Sequence, residues 1–303
     1  MGSEFRYNCV VCGRVNSLFL LRKEDAVYEI CGCGLVYNRR IPDEVTLKET
    51  AEEWSRIHHA SPQRLKWEND TNLQEVIYGF RMREIAKRRF KGKLLDVGCS
   101  TGFFLDYASR KGWEVFGCEL SENSANIARS RGNSEIAIGS FPDIGYPSRY
   151  FDVVTMWDVV EHVREPALFV SEAFRVLRPG GLLALSTPNY DSLTRMMIGA
   201  RWEAIIPSRH LQLFTPKTLK MLVCLQGGWV RACKTVDVNP WDILMALAKG
   251  KKYDISVRNE AISRAKALFA KYPFLAVLRE MVNAFLSVVK VGDTIELYAE
   301  KWR

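Results

Sequence analysis

The chain has 303 residues, of which 48% are apolar, and its formal net charge is +8. This length and composition exclude a disordered or fibrous protein, and they provide for one domain of ordinary size plus a smaller module. No run of about 18 apolar residues and no secretory signal pattern is present, so we expect a cytoplasmic protein with no membrane partner. Residues 1–5 look like a remnant of cloning and are excluded from the fold assignment.

Four of the eight cysteines lie close together near the start of the chain. Cys9 and Cys12 form one pair, Cys31 and Cys33 form the other, and the residues between them contain two short predicted strands. Thiol pairs at one end of a hairpin are typical of a tetrahedral zinc site. We therefore predict a zinc-ribbon-like module over residues 6–40, with an empty reduced module as the alternative. The short Cys31-x-Cys33 spacing favours weaker zinc binding.

The apolar pattern becomes helical over residues 41–91, which predicts a helical lead-in or lid with a helix beginning at Thr71. This segment ends in a basic run that consists of Arg81, Arg83, Lys87, Arg88, Arg89, Lys91 and Lys93. A solvated helix face explains such a run, and an anionic substrate or a nucleic acid is the alternative.

Strands and helices alternate from residue 92 onward. Predicted strands contain the sequences LLDVG, WEVFGCEL, FDVVTMWDVV and GLLALSTP, and the helices between them begin after Gly102, at Ser121 and at Glu165. A further helix at 215–225, a strand at 229–238, a helical insertion at about 241–289 and a last strand at 293–301 follow. This order predicts an α/β fold in which helices cover both faces of a parallel sheet.

The first of these strands runs into a small turn that contains Gly98 and Gly102 and opens a helix. Such a turn lets the backbone approach a ligand closely. Glu119 ends the next strand, where a carboxylate can accept both hydroxyl groups of a ribose. Dinucleotide-binding folds share these features, so they do not identify the cofactor.

The series LLDVGCSTGFFL, CEL, FDVVTMWDVVEHV and RVLRPGGLLALSTPN resembles the successive motifs of class I S-adenosylmethionine (SAM)-dependent methyltransferases. The cysteine module and the later segments TPNYDS, RW and FTPKTL resemble a subgroup near the ubiquinone-biosynthesis O-methyltransferases. The resemblance implies a Rossmann-like seven-stranded methyltransferase sheet over residues 92–303, with SAM as the methyl donor.

The resemblance also implies a cofactor site made of residues that follow the strands. It comprises Asp96, Gly98, Cys99 and Gly102 around the methionine part of SAM, Glu119 at the ribose, Leu120 along the adenine, Ser140 and Phe141 at the adenine amino edge, and Trp157 and Asp158 below the sulfonium. Ser100 stands where many relatives have glycine, and we expect it to keep ordinary dihedral angles.

Candidate reaction residues follow the strand that ends near Trp157. Asp158, Glu161 and His162 have the i, i+3, i+4 spacing of one helix face, and the subgroup resemblance places His210 over the same pocket. Two roles stay open, namely binding of a divalent magnesium or manganese ion by all four residues and metal-free general-base catalysis by His162 or His210. A third reading makes Glu161 and His162 a brace of the helix and Asp158 a contact of the SAM amine.

The methyl acceptor is the least constrained feature. We expect O-methylation of a hydroxylated small molecule such as a sugar or a quinone-like ring. The alternatives are C-methylation of a nucleotide-linked sugar, RNA methylation, and a SAM-binding scaffold without turnover. The cysteine module and a pI near 9.0 favour RNA, whereas the basic run lacks interleaved aromatic residues for stacking bases. The sequence leaves the oligomeric state open.

Overall fold

The computed structural model describes residues 3–5, 8–59, 65, 69, 71–89, 91–132, 135–202, 204–238 and 272–302. Most of the predicted helical insertion, residues 241–271, lies outside the described residues. Among the described residues, no helix combines the length and apolar character that crossing a membrane requires.

The cysteine module is a small antiparallel sheet that includes a strand from far along the chain. Its strands are β2 (Ser17–Lys23), β3 (Ala26–Cys31), β4 (Val36–Asn38) and β11 (Gln212–Leu213), in the spatial order β11-β4-β3-β2. The predicted hairpin is therefore confirmed, but its sheet extends beyond residues 6–40.

The excluded first residues also take part in the fold. Strand β1 (Ser3–Phe5) pairs antiparallel with β5 (Arg40–Pro42). Setting residues 1–5 aside was therefore wrong for residues 3–5, because their backbone hydrogen bonds are made to β5.

A seven-stranded sheet organises the rest of the chain. Its strands are β6 (Lys93–Val97), β7 (Glu114–Glu119), β8 (Glu135–Ile138), β9 (Phe151–Trp157), β10 (Leu177–Pro188), β12 (Gly228–Val236) and β13 (Thr294–Lys301). The spatial order is β12-β13-β10-β9-β6-β7-β8, with β13 antiparallel to both of its neighbours. The predicted fold is confirmed, and β8 is a strand that the sequence pattern does not locate.

Helices flank this sheet on both faces. The described helices are α1 (Glu44–Trp54), α2 (Thr71–Ala86), α3 (Phe103–Arg110), α4 (Glu122–Ser130), α5 (Pro166–Val176), α6 (Leu193–Ile198), α7 (Pro216–Leu225) and α8 (Pro273–Val289). A π-helical turn (Ser55–His59) and short 3₁₀ turns (Phe141–Asp143, Gly199–Arg201) complete the helical segments.

Alternating residues of the central strands enter two separate cores. Leu95 and Val154 pack with α5 and α7, whereas Leu94 and Val153 pack with α2, α3 and α4. Because successive side chains of a strand point to opposite faces, an apolar strand in a parallel sheet can fill both cores.

Most cations of the basic run form ion pairs within the protein. Among the described residues, all of its cations except Lys91 have a carboxylate partner. Two of these partners, Glu296 and Glu300, lie on β13, and buried Glu84 of α2 also pairs with Lys234 of β12. The run is therefore neither a fully solvated face nor a free cationic patch.

Gly292, which lies two residues before β13, packs against the backbone of β12 and leads to our first prediction. A Cβ at Gly292 would lie 2.5 Å from the backbone nitrogen of Val236 and 2.7 Å from the carbonyl carbon of Thr235. We expect Gly292→Ala to lower the free energy of unfolding by about 2 kcal/mol, because packed backbone atoms must move. Denaturant unfolding measures the effect.

Gly79→Ala in α2 is the matched control. Its Cβ would meet the carboxylate end of Glu75, a flexible side chain that can move. Alanine is better than glycine inside a helix by roughly 1 kcal/mol, so this variant should be neutral or more stable. Equal destabilisation by both substitutions would contradict the assignment of a specific backbone contact at Gly292.

Candidate functional site

A cavity of about 1830 Å³ opens at the carboxyl ends of the parallel strands. Ligands of open parallel sheets bind at this edge. A typical small-molecule site has roughly 300–1,000 Å³, so the cavity has room for a cofactor and an acceptor together. Its lining includes the predicted residues Asp96, Gly98, Cys99, Glu119, Leu120, Ser140, Phe141, Trp157, Asp158, Glu161, His162 and His210.

Asp96 is a buried carboxylate near the end of β6. Its Oδ1 accepts a hydrogen bond of 2.6 Å from the hydroxyl of Thr155 on β9. Burial raises the pKa of Asp96 to about 7, although the Thr155 bond and the charge of Arg81 act in the opposite direction. An ionised carboxylate is costly to bury without a partner, so Asp96 favours a cationic ligand group in the cavity.

Glu119 is held at the end of β7 by two backbone amides. The N–H of Ser100 donates to Oε2 at 2.8 Å, and the N–H of Ser121 donates to Oε1 at 2.9 Å. Each oxygen can accept a second hydrogen bond, which suits the paired hydroxyl groups of a ribose.

Ser100 does not keep the ordinary dihedral angles that we expected. Its φ is +50°, in the left-handed region. This conformation costs a non-glycine residue about 1–2 kcal/mol, and the hydrogen bond from its amide to Glu119 offsets part of that cost.

Gly102, which the resemblance places around the methionine part of SAM, has a packing role in the fold. It precedes α3 with a φ of +78°. A Cβ at this position would lie 2.9 Å from the Cβ and 3.1 Å from the Cα of Ala128 on α4. Gly102 therefore lets α3 and α4 pack closely.

Arg81, which the sequence pattern groups with a basic run, lines the cavity. Its guanidinium carbon lies 4.3 Å from the ring centroid of Trp157, and its nitrogens bond Glu296 and Ser186 at 3.3 Å each. The indole Nε1 of Trp157 is buried and has no hydrogen-bond partner among the described residues. No pattern in the sequence distinguishes Arg81 from its neighbours, because only the packing of α2 on the sheet buries it.

The predicted helical turn at Asp158, Glu161 and His162 is wrong. Residues 158–163 form a bend and a tight turn, in which Asp158 has a φ of +57°. The Oδ1 of Asp158 accepts a hydrogen bond of 2.9 Å from Ser186. Among the described residues, the metal-ligand group at this place contains Glu161, His162 and His210, without Asp158. A four-residue ligand set on a shared helix face is therefore not what the fold forms.

Glu161 is buried with one carboxylate oxygen unpaired. Its Oε2 accepts a 2.9 Å hydrogen bond from the hydroxyl of Thr187, whereas Oε1 has no partner among the described residues. Burial, and then the neighbouring charge of Asp158, raise the pKa of Glu161 well above its usual value. An unsatisfied buried acceptor is unfavourable, so Oε1 favours a proton, an ion or a ligand hydroxyl group beside it.

The imidazole rings of His162 and His210 face the same point, with their centroids 4.8 Å apart. The Nδ1 of His162 lies 3.0 Å from the carbonyl oxygen of Arg209, and the Nδ1 of His210 lies 2.6 Å from that of Ala204. A carbonyl only accepts, so each Nδ1 carries a hydrogen, and when such a ring is neutral its lone pair lies on Nε2. Burial lowers the pKa of His210 to about 4, which keeps this ring neutral at pH 7.

The cysteine module meets this site through the backbone. Tyr28 of β3 donates its hydroxyl to the carbonyl of His210 at 3.2 Å, and the amide of Leu211 donates to the carbonyl of Glu161 at 2.8 Å. The amide of Asn38, at the end of β4, donates in turn to the carbonyl of Leu211 at 2.8 Å. The module and the turn at Glu161 therefore hold His210 from two sides.

The four N-terminal cysteine sulfur atoms lie within 4.8 Å of one another. The Sγ atoms of Cys9 and Cys33 are 3.7 Å apart, and those of Cys12 and Cys31 are 3.5 Å apart. A tetrahedral zinc ion with Zn–S bonds of about 2.3 Å separates its sulfur ligands by roughly 3.8 Å. The spacing therefore fits zinc, and the short Cys31-x-Cys33 loop still brings both of its sulfur atoms into the cluster.

Comparison with known proteins agrees with this geometry. A family model described as a methyltransferase domain matches residues 70–227, which is more than half of the chain. A Mycolicibacterium smegmatis protein named as a probable S-adenosylmethionine-dependent methyltransferase is 35% identical over 123 residues, which are 39% of this chain and 48% of that protein. The ubiquinone biosynthesis O-methyltransferase of Mesorhizobium japonicum is 30% identical over 154 residues, which are 48% of this chain and 60% of the relative. The chain thus spans about half to three fifths of the length of these two curated relatives.

The fold is also similar to that of a SAM-dependent methyltransferase from Archaeoglobus fulgidus. That crystal structure gives a TM-score of 0.51 at 20% identity and covers 75% of this chain and 94% of its own. The family match and the arrangement of Asp96, Glu119 and the cavity at the strand ends lead to one conclusion. The chain belongs to the SAM-dependent methyltransferase family.

Proposed function

We propose that this protein transfers the methyl group of SAM to a hydroxyl group of a small molecule. The observation that carries the proposal is the unpaired Oε1 of buried Glu161, which lies beside His162 and His210 in the same cavity as Asp96 and Glu119. A cationic, ribose-bearing cofactor fits beside Asp96 and Glu119. A polar acceptor group fits beside Glu161 and the two histidines. The names of the relatives as O-methyltransferases support the choice of oxygen as the acceptor atom.

Methyl transfer from a sulfonium is an in-line displacement, so the enzyme mainly aligns the two reactants. The acceptor oxygen forms a bond to the methyl carbon, the carbon–sulfur bond breaks, and the hydroxyl proton must leave. The Nε2 of His162 or His210 supplies the lone pair that accepts this proton, and Glu161 binds the same hydroxyl group or the imidazole that becomes protonated.

The same three side chains are also a fitting ligand set for a divalent ion. The backbone carbonyls of Arg209 and Ala204 orient the two rings through Nδ1, and such second contacts are usual for metal-binding histidines. Glu161, His162 and His210 would hold the ion. When bound, it would supply a Lewis acid that lowers the pKa of an acceptor hydroxyl.

RNA methylation receives less support. Its motivation is the basic run near residues 81–93, and most of those cations are neutralised by carboxylates on the protein itself. Phosphate binding would have to compete with these internal pairs.

The pH dependence of cofactor binding tests the assignment of Asp96. Its pKa is about 7 in the free protein, and a cationic ligand favours the ionised form and so lowers that pKa in the complex. We therefore expect SAM affinity to rise as the pH rises toward 7 and to level off above it. Calorimetry with wild type and Asp96→Asn measures this. The variant should bind at least about tenfold more weakly, with no such rise, and unchanged affinity at all pH values would contradict the site.

Turnover tests the acceptor side. We expect the protein to release S-adenosylhomocysteine with at least one compound from a panel of hydroxylated aromatics and sugars, and mass and NMR analysis should locate the new methyl on oxygen. With that acceptor, His210→Ala and Glu161→Gln should each reduce kcat about 100-fold or more, whereas SAM affinity stays the same because neither residue contacts the cofactor in this assignment. Methylation of carbon or nitrogen would overturn the proposal.

A chelator distinguishes metal binding by Glu161, His162 and His210 from metal-free general-base catalysis. If an ion acts there, a chelator abolishes turnover and added magnesium or manganese restores it without added zinc. If a histidine acts as a metal-free base, the chelator has no effect. Full activity of both His162→Ala and His210→Ala in the presence of chelator would exclude both roles and leave alignment alone.

We also propose a structural zinc ion in the cysteine module. Elemental analysis should find about one zinc per chain, and the Cys9→Ser, Cys12→Ser double variant should lose it. Cys224→Ser, at an exposed cysteine outside the cluster, is the control and should keep its zinc. A fully folded protein without metal would contradict this prediction.

A further inference from the structure

Arg209, the residue before His210, gives further information about the chemistry of the acceptor. Arg209 lines the cavity, and its carbonyl oxygen receives the Nδ1 hydrogen of His162. Its guanidinium carbon lies 3.8 Å from the ring centroid of Trp54, the last residue of α1. The lead-in helix and the reaction site therefore meet through a cation stacked on an indole ring.

The charge of Arg209 differs in its surroundings from two other cations of this cavity, which have ion pairs outside the reaction site. Arg81 pairs with Glu296, and Arg279 pairs with Asp237. Among the described residues, the carboxyl group whose charge acts on Arg209 is Glu161 of the reaction site itself. Lys48 is an exposed cation at the same cavity. Burial is unfavourable for the charge of Arg209, and an anionic group of a ligand beside Glu161 would stabilise that charge.

The stacking also determines which contacts Arg209 can make. The guanidinium carbon of Arg209 lies over the Trp54 ring, and a guanidinium that stacks on an aromatic ring keeps its N–H groups at the edge of its plane. Those groups match two oxygens of a carboxylate or a phosphate. A neutral hydroxylated ligand offers nothing of comparable strength to this group.

We propose that the acceptor carries an acidic group, a carboxylate or a phosphate, besides the hydroxyl that is methylated, and that Arg209, stacked on Trp54, binds this group. The inference rests on the proposed function, because it identifies the cavity wall around Glu161, His162 and His210 as the acceptor site. It narrows the substrate class to hydroxylated acids and phosphate esters.

Binding of matched probes tests the inference without knowledge of the natural acceptor. The probes are 3,4-dihydroxybenzoate against catechol, and glucose 6-phosphate against glucose, measured by calorimetry on protein saturated with S-adenosylhomocysteine. The first pair differs by a carboxylate and the second by a phosphate, so the two arms distinguish the acidic groups. We expect wild type to bind one of the acids about tenfold to a hundredfold more tightly than its neutral partner, as charged hydrogen bonds allow.

Three variants assign that preference to Arg209. Arg209→Gln should abolish it, and Arg209→Lys should retain part of it because the charge remains without the planar pair of N–H donors. Lys48→Gln removes the same charge at the exposed cavity mouth and should leave the preference unchanged. Unaltered affinity of Arg209→Gln for S-adenosylhomocysteine shows that the variant is folded.

The outcomes separate this inference from the proposed function. Absence of an acid preference in wild type, or a preference that survives Arg209→Gln, overturns the inference, and O-methylation of neutral acceptors can still be found. Methyl transfer to carbon or nitrogen overturns the proposed function, whereas the probe affinities still decide whether Arg209 recognises an acid.

Discussion

The acceptor side of this protein depends on one set of backbone hydrogen bonds around residues 210–213. Strand β11 pairs with β4 of the cysteine module, and the amide of Leu211 bonds the carbonyl of Glu161. These contacts bring His210 to within ligand distance of Glu161 and His162. The side chain of Gln212 on β11 adds two hydrogen bonds to the same turn, donated by its Nε2 to the carbonyls of Val160 and Val163. The carbonyls of Arg209 and Ala204 then orient the two imidazole rings through Nδ1.

Electrostatics divide the cavity into two parts. Asp96 and Glu119 lie at the ends of β6 and β7 and carry acidic groups toward a cationic cofactor, whose ribose and charged groups compensate their burial. Glu161 and the two imidazoles lie on the other side, which we propose receives the proton of the acceptor. Arg209 adds a positive charge to that side. If the acceptor carries the acidic group that we propose, the acidic side of the cavity attracts the cationic cofactor and the side with Arg209 attracts the acceptor.

The cysteine module is packed against the domain that contains the central sheet. Its sulfur cluster closes the end of the hairpin that precedes β4, and its residues Leu35 and Tyr37 belong to the same core as the central sheet. A site that closes a small sheet reduces the freedom of the strand that supports His210. The module therefore packs into the same core as the sheet and contacts the segment that carries His210.

Local patterns in the sequence were sufficient for most of the fold and for half of the site. Apolar strands, glycine turns and helix starts predicted the alternation from β6 onward. The strand-end position located Glu119, because a parallel sheet brings the carboxyl ends of its strands together, whereas the family resemblance implied Asp96 and Trp157. The four cysteines were equally readable, since their spacing encodes the ligand set.

Contacts between distant segments were decided only by the tertiary structure. Packing of α2 on the sheet buried Arg81, the left-handed backbone at Asp158 removed it from the ligand group, and the approach of α3 to α4 made Gly102 a packing residue. The stacking of Arg209 on Trp54 joins residues that are far apart in the chain. A sequence pattern shows the spacing of apolar residues and the position of turns. The burial of a charged side chain depends on which distant element packs over it.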